Sequence, residues 1–164
     1  MKPAAQRVQA ALDALGLGHR VVELPATART SAEAAAAVGV AVGQIAKSLV
    51  FTVNSSPVLV IASGANRVDE GKLERLAGGR VRRADPGTVR QATGYAIGGI
   101  PPLAHDTAMA TWVDEDLLGH DLIYAAAGVP ECVFRLTPAD LVRMTGGQVS
   151  DLKEAAPDAA GGAR

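Results

Sequence analysis

Aromatic side chains are scarce in this 164-residue chain: two phenylalanines, two tyrosines and one tryptophan make up 3% of it. That scarcity excludes the stacking platforms of nonspecific single-strand binders, and with them a long nucleic-acid groove. Cysteine occurs once, as Cys132, so no intrachain disulfide can form, and one thiol without neighbouring ligands makes no zinc site. A reducing cytoplasm is the expected setting. No apolar run approaches the roughly 18 residues that cross a bilayer. The first helical pattern carries Lys2, Arg7 and Asp13 where a signal peptide would be apolar, so no membrane partner is expected. A large charge of either sign is also missing, since 16 basic and 17 acidic residues leave a net charge of −1. That balance excludes a protein that wraps long nucleic acid, yet it permits a small footprint on one RNA end.

What the chain does have is 48% hydrophobic residues, mostly alanine, valine and leucine, enough for a continuous core within the usual length of one domain. Residues 1–152 are expected to form that single domain, and 153–164, without a periodic apolar face, a frayed tail. Val8, Ala11, Leu12 and Leu15 recur at helical spacing before Gly16 and predict a helix from Pro3 to Leu15. Thr30 and Glu33 have capping-box spacing and predict a second helix, closed by Gly39. The β-branched runs 46–54 and 58–63 flank Asn54-Ser55-Ser56-Pro57 and predict a hairpin. Short strands are expected at 19–24, 81–84, 107–113, 122–127 and 132–136. Short helices are expected at 69–76, 86–92 and 137–144, with a helical turn at 114–118. Without a long βαβ period or an internal repeat, this alternation predicts an α+β arrangement: a mixed, partly barrel-like sheet flanked by short helices.

Two features could carry chemistry. Period-two alternation places Lys47 on the apolar face of its strand, beside Leu49, Phe51 and Val53. Its ammonium must either escape at the strand end or find a partner in a pocket, because burying it unpaired is costly. In Gly94-Tyr95-Ala96-Ile97-Gly98-Gly99-Ile100-Pro101-Pro102, glycines that permit unusual dihedrals precede prolines that stiffen the exit. Such a segment is either an ordinary tight turn or a cradle of N–H groups for a carbonyl oxygen that gains charge during acyl transfer. His105-Asp106 follows closely, and the histidine could shuttle a proton or orient water, although neighbours on an extended chain point apart. His19 and His120 lack partners at ligand spacing, so neither a metal nor another cofactor is expected. Cys132 reads as packing. No nucleophile elbow and no phosphate-binding glycine loop appears. Arg67, Lys72, Arg75, Arg80, Arg82, Arg83 and Arg90 outnumber the acids among them, a patch that could meet phosphates or simply be a solvated surface.

The blocks 45–51 (Ile-Ala-Lys-Ser-Leu-Val-Phe), 63–69 (Ser-Gly-Ala-Asn-Arg-Val-Asp), Thr93-Gly94-Tyr95 leading to Gly98–Pro102, and Leu122-Ile123-Tyr124 leading to Ala127-Gly128 follow one another over most of the chain. In order and spacing they resemble the YbaK family of aminoacyl-tRNA deacylases, related to the editing domain inserted in bacterial prolyl-tRNA synthetase. The resemblance implies a small pocket for the aminoacyl group on the terminal adenosine of tRNA. It implies that Lys47 holds the substrate end while Gly98, Gly99 and Ile100 cradle the ester. Ser63, Asn66, Tyr95, Pro101, Pro102, His105, Ala126, Ala127 and Gly128 are the further candidates for substrate contact. Hydrolysis would depend on positioned water or the substrate's own ribose hydroxyl, without a metal. Prolyl-tRNA synthetase or an elongation factor is the implied protein partner. The wall from Ala125 to Val133 is apolar where cysteine-specific relatives carry polar residues, so a small aminoacyl group such as alanine, cysteine or serine is expected, carried on proline tRNA. The competing expectation is a noncatalytic module that binds tRNA ends or a synthetase.

Overall fold

The computed structural model describes residues 1–155. Helix α1 spans Pro3–Leu15, with Pro3 in its first turn and Gly16 left-handed at its end (φ 69°), and it buries Ala5, Val8 and Leu12. After β1 (Val21–Glu23), α2 (Ser31–Val38) begins with both halves of the Thr30/Glu33 capping box formed. A 3-10 turn at Val42–Gln44 leads into β2 (Ile45–Val53), which pairs antiparallel with β3 (Ser56–Ser63). Val53 faces Ser56, so the hairpin turn is Asn54-Ser55 alone, both left-handed (φ 48° and 73°). That is the two-residue turn whose twist suits flanking strands. Ser56 and Pro57 therefore belong to the strand. Pro57 is tolerated because it faces Thr52 at a position where the two residues exchange no hydrogen bonds, Ile45 and Gly64 fixing that alternation.

Helix α3 (Glu70–Ala77) starts on an Asp69 cap, β4 covers Val81–Arg83, and α4 (Pro86–Thr93) starts on an Asp85 cap. Strand β5 (Thr111–Asp114) is shorter than the expected 107–113. The N–H groups of Asp106 and Thr107 are instead bound to the Thr93 and Ala92 carbonyls at the end of α4. A 3-10 turn (Glu115–Gly119), β6 (Ile123–Ala126), β7 (Cys132–Leu136), α5 (Pro138–Thr145) and a final β8 (Gln148–Ser150) complete the order. Sequence reasoning missed β8, which has three residues and only one apolar side chain.

All eight strands join one mixed sheet in the order β1-β7-β6-β2-β3-β5-β8, with β4 added beside β2. Apolar clusters lie on both faces. The larger includes Val8 of α1, Val89 of α4 and Leu141 of α5, and the smaller includes Leu73 of α3 with Phe51, Trp112 and Leu152. One irregularity of the sheet positions the site. On its outer edge β2 pairs with β6 only at Ile45 and Ala46, and with β4 only at Phe51 to Val53. The Gly64 N–H meets the Ile45 carbonyl on the β3 side, and the Ala84 N–H meets the Val50 carbonyl on the outer side. By alternation, the N–H and C=O of Ser48 open into the gap between β6 and β4.

The chain end departs from expectation. Lys153 bridges to Val68 and pairs with Asp116 at 2.8 Å, and the Glu154 N–H reaches the Arg67 carbonyl, so both are tied to the body. The rest of the expected tail, 156–164, lies outside the described residues. Among the described residues, no helix is long and apolar enough to cross a membrane.

Candidate active site beside strand β2

The gap in β2 opens into a cavity of about 190 Å³, whose walls come from Ala34 of α2, Ala46, Lys47, Ser48 and Leu49 of β2, Gly98 and Ile100 of the loop, and Ala125, Ala126, Pro130 and Val133. The wall is mostly aliphatic, as the sequence 125–133 implies, and the volume falls below the roughly 300 Å³ at which drug-sized ligand sites begin. Arg29, Ser31 and Ile97 stand among its lining residues. Ser48 is buried, and its hydroxyl has no hydrogen-bond partner among the described residues.

Lys47 sits at this cavity on the face shared with Leu49, Phe51 and Val53, as the alternation predicts. Its partner is not an anion. The ammonium donates to the carbonyl oxygen of Asn66 at 2.7 Å, and no carboxylate lies within 4 Å among the described residues. Burial, and then the nearby Arg83 and Arg67 guanidiniums, hold its pKa below the ordinary lysine value, which Asp114 opposes only in part. Asn66 is fixed in turn by its side-chain amide, which donates to Asp114 at 2.9 Å and Asp116 at 3.0 Å. Ser63 serves the same turn: its hydroxyl donates to the Gly43 carbonyl at 2.8 Å and its N–H to Asp114 at 3.0 Å. Ser63 and Asn66 thus aim Lys47 from behind, and Ser63 does not line the cavity.

The glycine-proline loop divides. The N–H of Gly99 is spent on the Ala96 carbonyl (3.1 Å), and the Gly99 carbonyl accepts the N–H of Gly128 (2.9 Å). Ile97, Gly98 and Ile100 face the cavity, and the N–H groups of Gly98 and Ile100 make no backbone hydrogen bond among the described residues. Gly99 serves packing: a Cβ there would stand 2.6 Å from the Gly128 oxygen, and one on Gly128 would stand 2.7 Å from the Ala4 backbone. The loop, the turn at Gly128 and the start of α1 are therefore stacked backbone on backbone, which only glycine allows.

Other candidates stand apart from Lys47. Tyr95 is buried and its hydroxyl donates to the Ala104 carbonyl at 2.9 Å, stapling the loop exit. His105 donates through Nε2 to the Pro101 carbonyl at 2.6 Å, and burial lowers its pKa. With Pro102 it lines a different cavity, and Asp106 is engaged by Arg7 at 2.8 Å, so His105 and Asp106 form no dyad. Ala127 lies in the core while its neighbour Ala126 lines the cavity, and Cys132 is buried packing. Sequence reasoning did not single out Ser48 or Arg29, and it gave Arg67 and Arg83 no role beyond a diffuse basic patch, although Arg67 also stands in the 63–69 block. Among the described residues no three metal-ligating side chains gather.

Known proteins resemble this chain in sequence and fold. The model of the family described as the aminoacyl-tRNA editing domain matches residues 25–144. The uncharacterized protein YwhH of Bacillus subtilis strain 168 is 33% identical over 124 residues, 74% of this chain and 78% of that protein. A protein solved as a candidate trans-editing enzyme for prolyl-tRNA synthetase is 52% identical, covers 94% of this chain and 99% of its own, and superposes with a TM-score of 0.91. The hypothetical protein APE2540 is 34% identical over 90% of this chain and 99% of its own, with a TM-score of 0.84. Because the matched span carries β2 with Lys47 as well as the loop and wall that face it, this chain belongs to the aminoacyl-tRNA editing domain family.

Proposed function

We propose that this protein is a trans-editing deacylase that hydrolyses the ester of a mischarged aminoacyl-tRNA, removing a small amino acid such as alanine, cysteine or serine from proline tRNA. The observation that carries the reading is the position of Lys47, an ammonium without an anionic partner at the mouth of a small aliphatic cavity. The side chain of the amino acid would enter between Ala46, Ala126 and Val133. Its ester carbonyl would then lie near Lys47 and the N–H groups of Gly98 and Ile100. Donors held in place before the reaction favour the negative charge that develops on that oxygen. Water, or water assisted by the neighbouring ribose hydroxyl, attacks the carbonyl carbon. The carbon–oxygen bond to the ribose breaks, and the ribose oxygen leaves with a proton. The chain supplies binding, orientation and polarisation, and no protein nucleophile is required.

The likeness to the candidate trans-editing enzyme supports proline tRNA as the carrier. Residues 1–152 would act as one editing unit in the cytoplasm, with a synthetase or elongation factor adding tRNA affinity. The test is a deacylation panel of proline tRNA charged with alanine, cysteine, serine and proline. Hydrolysis of at least one small noncognate ester, lost in Lys47→Ala, is the expected result; a folded protein that cleaves none of them overturns the proposal. Binding that survives in Lys47→Ala, with no turnover by either protein, would instead favour a noncatalytic module.

A further inference from the structure

Lys47 and Leu49 line two cavities. Beyond the aliphatic one lies a cleft of about 290 Å³, to which Phe51, Arg67 and Arg83 also contribute. Its cations are poorly neutralised. Arg83, exposed on β4, rests its guanidinium 5.6 Å from the centroid of the Phe51 ring and has no carboxylate within 4 Å among the described residues. Arg67 reaches only Glu154, at 3.8 Å between two exposed side chains, a pairing that contributes little in water. Lys47 is bound to a carbonyl. Glu70 and Glu154 stand on the same cleft, and neither comes within 4 Å of Lys47 or Arg83. Two guanidiniums and an ammonium around one concavity form an anion seat, and a planar guanidinium fork matches phosphate oxygens.

Resting on the deacylase reading, we propose that this cleft seats the phosphodiester that joins the last two nucleotides of the substrate, with Arg83 and Arg67 as its ligands. The shared wall makes the argument. An aminoacyl ester held in the aliphatic cavity with its carbonyl at Lys47 places the terminal ribose over the lysine, and the first phosphodiester lies across that ribose. A neutral end would leave the cleft's cations without a counterpart, whereas a nucleic-acid end brings one anion to the far side of Lys47. The seat thereby couples recognition of an RNA end to the position of the ester, and it gives a chain of nearly zero net charge one fixed phosphate contact.

The experiment compares a 3′-aminoacyl-adenosine, which has no phosphate, with the aminoacyl ester of cytidylyl-adenosine, which has one phosphodiester. The native protein is expected to favour the dinucleotide ester by roughly tenfold or more in kcat/KM, the scale of a hydrogen bond to a charged group. Arg83→Gln and Arg67→Gln should each reduce that ratio toward unity through a loss on the dinucleotide ester. Each should also flatten the salt dependence on the dinucleotide by about 0.7 in slope. Arg82→Gln, on the opposite face of the same strand, should change neither. An unchanged ratio in both variants, or an equal loss on both esters, overturns the seat. If the native protein hydrolyses neither ester, the panel of charged proline tRNA decides the deacylase reading on its own. The seat is then decided by NMR titration with uncharged cytidylyl-adenosine against adenosine. Shifts at the Arg83 side chain with the dinucleotide alone sustain it, and equal shifts, or none, overturn it.

Discussion

At the level of single residues, Lys47 carries the argument because the fold gains little from its charge. Strand alternation makes its location legible: a lysine in step with Leu49, Phe51 and Val53 has to sit on an apolar face. Its partner was not legible, because a backbone carbonyl has no sequence signature and Asn66 becomes a neighbour only through the β2–β3 hairpin. Since burial and two arginines lower the lysine's pKa, the folded state disfavours the charged form. The sign follows: below its folded pKa the charged lysine costs stability, and the cost is relieved as pH rises through that value. Lys47→Met should therefore abolish deacylation yet raise Tm at neutral pH, by about 1–3 °C for a gain below 1 kcal/mol. Calorimetry that finds the variant clearly less stable would show that the lysine is structural instead. In the same direction, Arg83→Gln removes the second-largest cause of the shift and should move the Lys47 titration, followed by NMR, to higher pH.

Among the elements, the helices, the hairpin and most strands were legible because their signals are local: a capping box at Thr30, Asp and Thr caps, and glycines after each helix. The start of β5 and the whole of β8 were not, since α4 captures the Asp106 and Thr107 N–H groups and β8 exists through pairing with β5. The glycines leave the loop as either a tight turn or a cradle, and which glycine faces the cavity depends on the stacking of Gly99 against Gly128. Gly99→Ala pushes a methyl into backbone that cannot retreat. We expect a loss of about 1–3 kcal/mol, or roughly 3–10 °C in Tm, together with lower activity. A variant of unchanged Tm would refute the close approach. On the opposite wall, Ala126→Val narrows the cavity. The preference for alanyl over a larger aminoacyl ester should rise by roughly 10-fold or more, measured as a ratio of kcat/KM.

Over the whole molecule, α1 ties together the pieces that line or support the site. Arg7 holds Asp106 and lies 5.1 Å over the Tyr95 ring, Ala4 backs Gly128, and Lys2 holds the buried carboxylate of Glu131 at 2.7 Å. None of these ties could be read from spacing, because each joins the first residues to segments about ninety or more positions away. The Lys2 hydrogen bond keeps the Glu131 pKa below the ordinary glutamate value, and the same bond raises that of Lys2. The glutamate's contribution is complete above its unfolded pKa and is lost as pH falls through the lowered folded value. The lysine's is complete below its unfolded pKa and is lost as pH rises through the raised one. The strap should therefore work across the neutral range and weaken at both ends. Glu131→Gln is expected to lower Tm at pH 7, and the gap from the native protein should close as pH falls through the lowered value of the native carboxylate. Because the ammonium is exposed, the gap should also shrink in about 1 M salt. A gap that persisted at acid pH would mean that Glu131 acts through its shape and backbone contacts and that α1 is held by its apolar face alone.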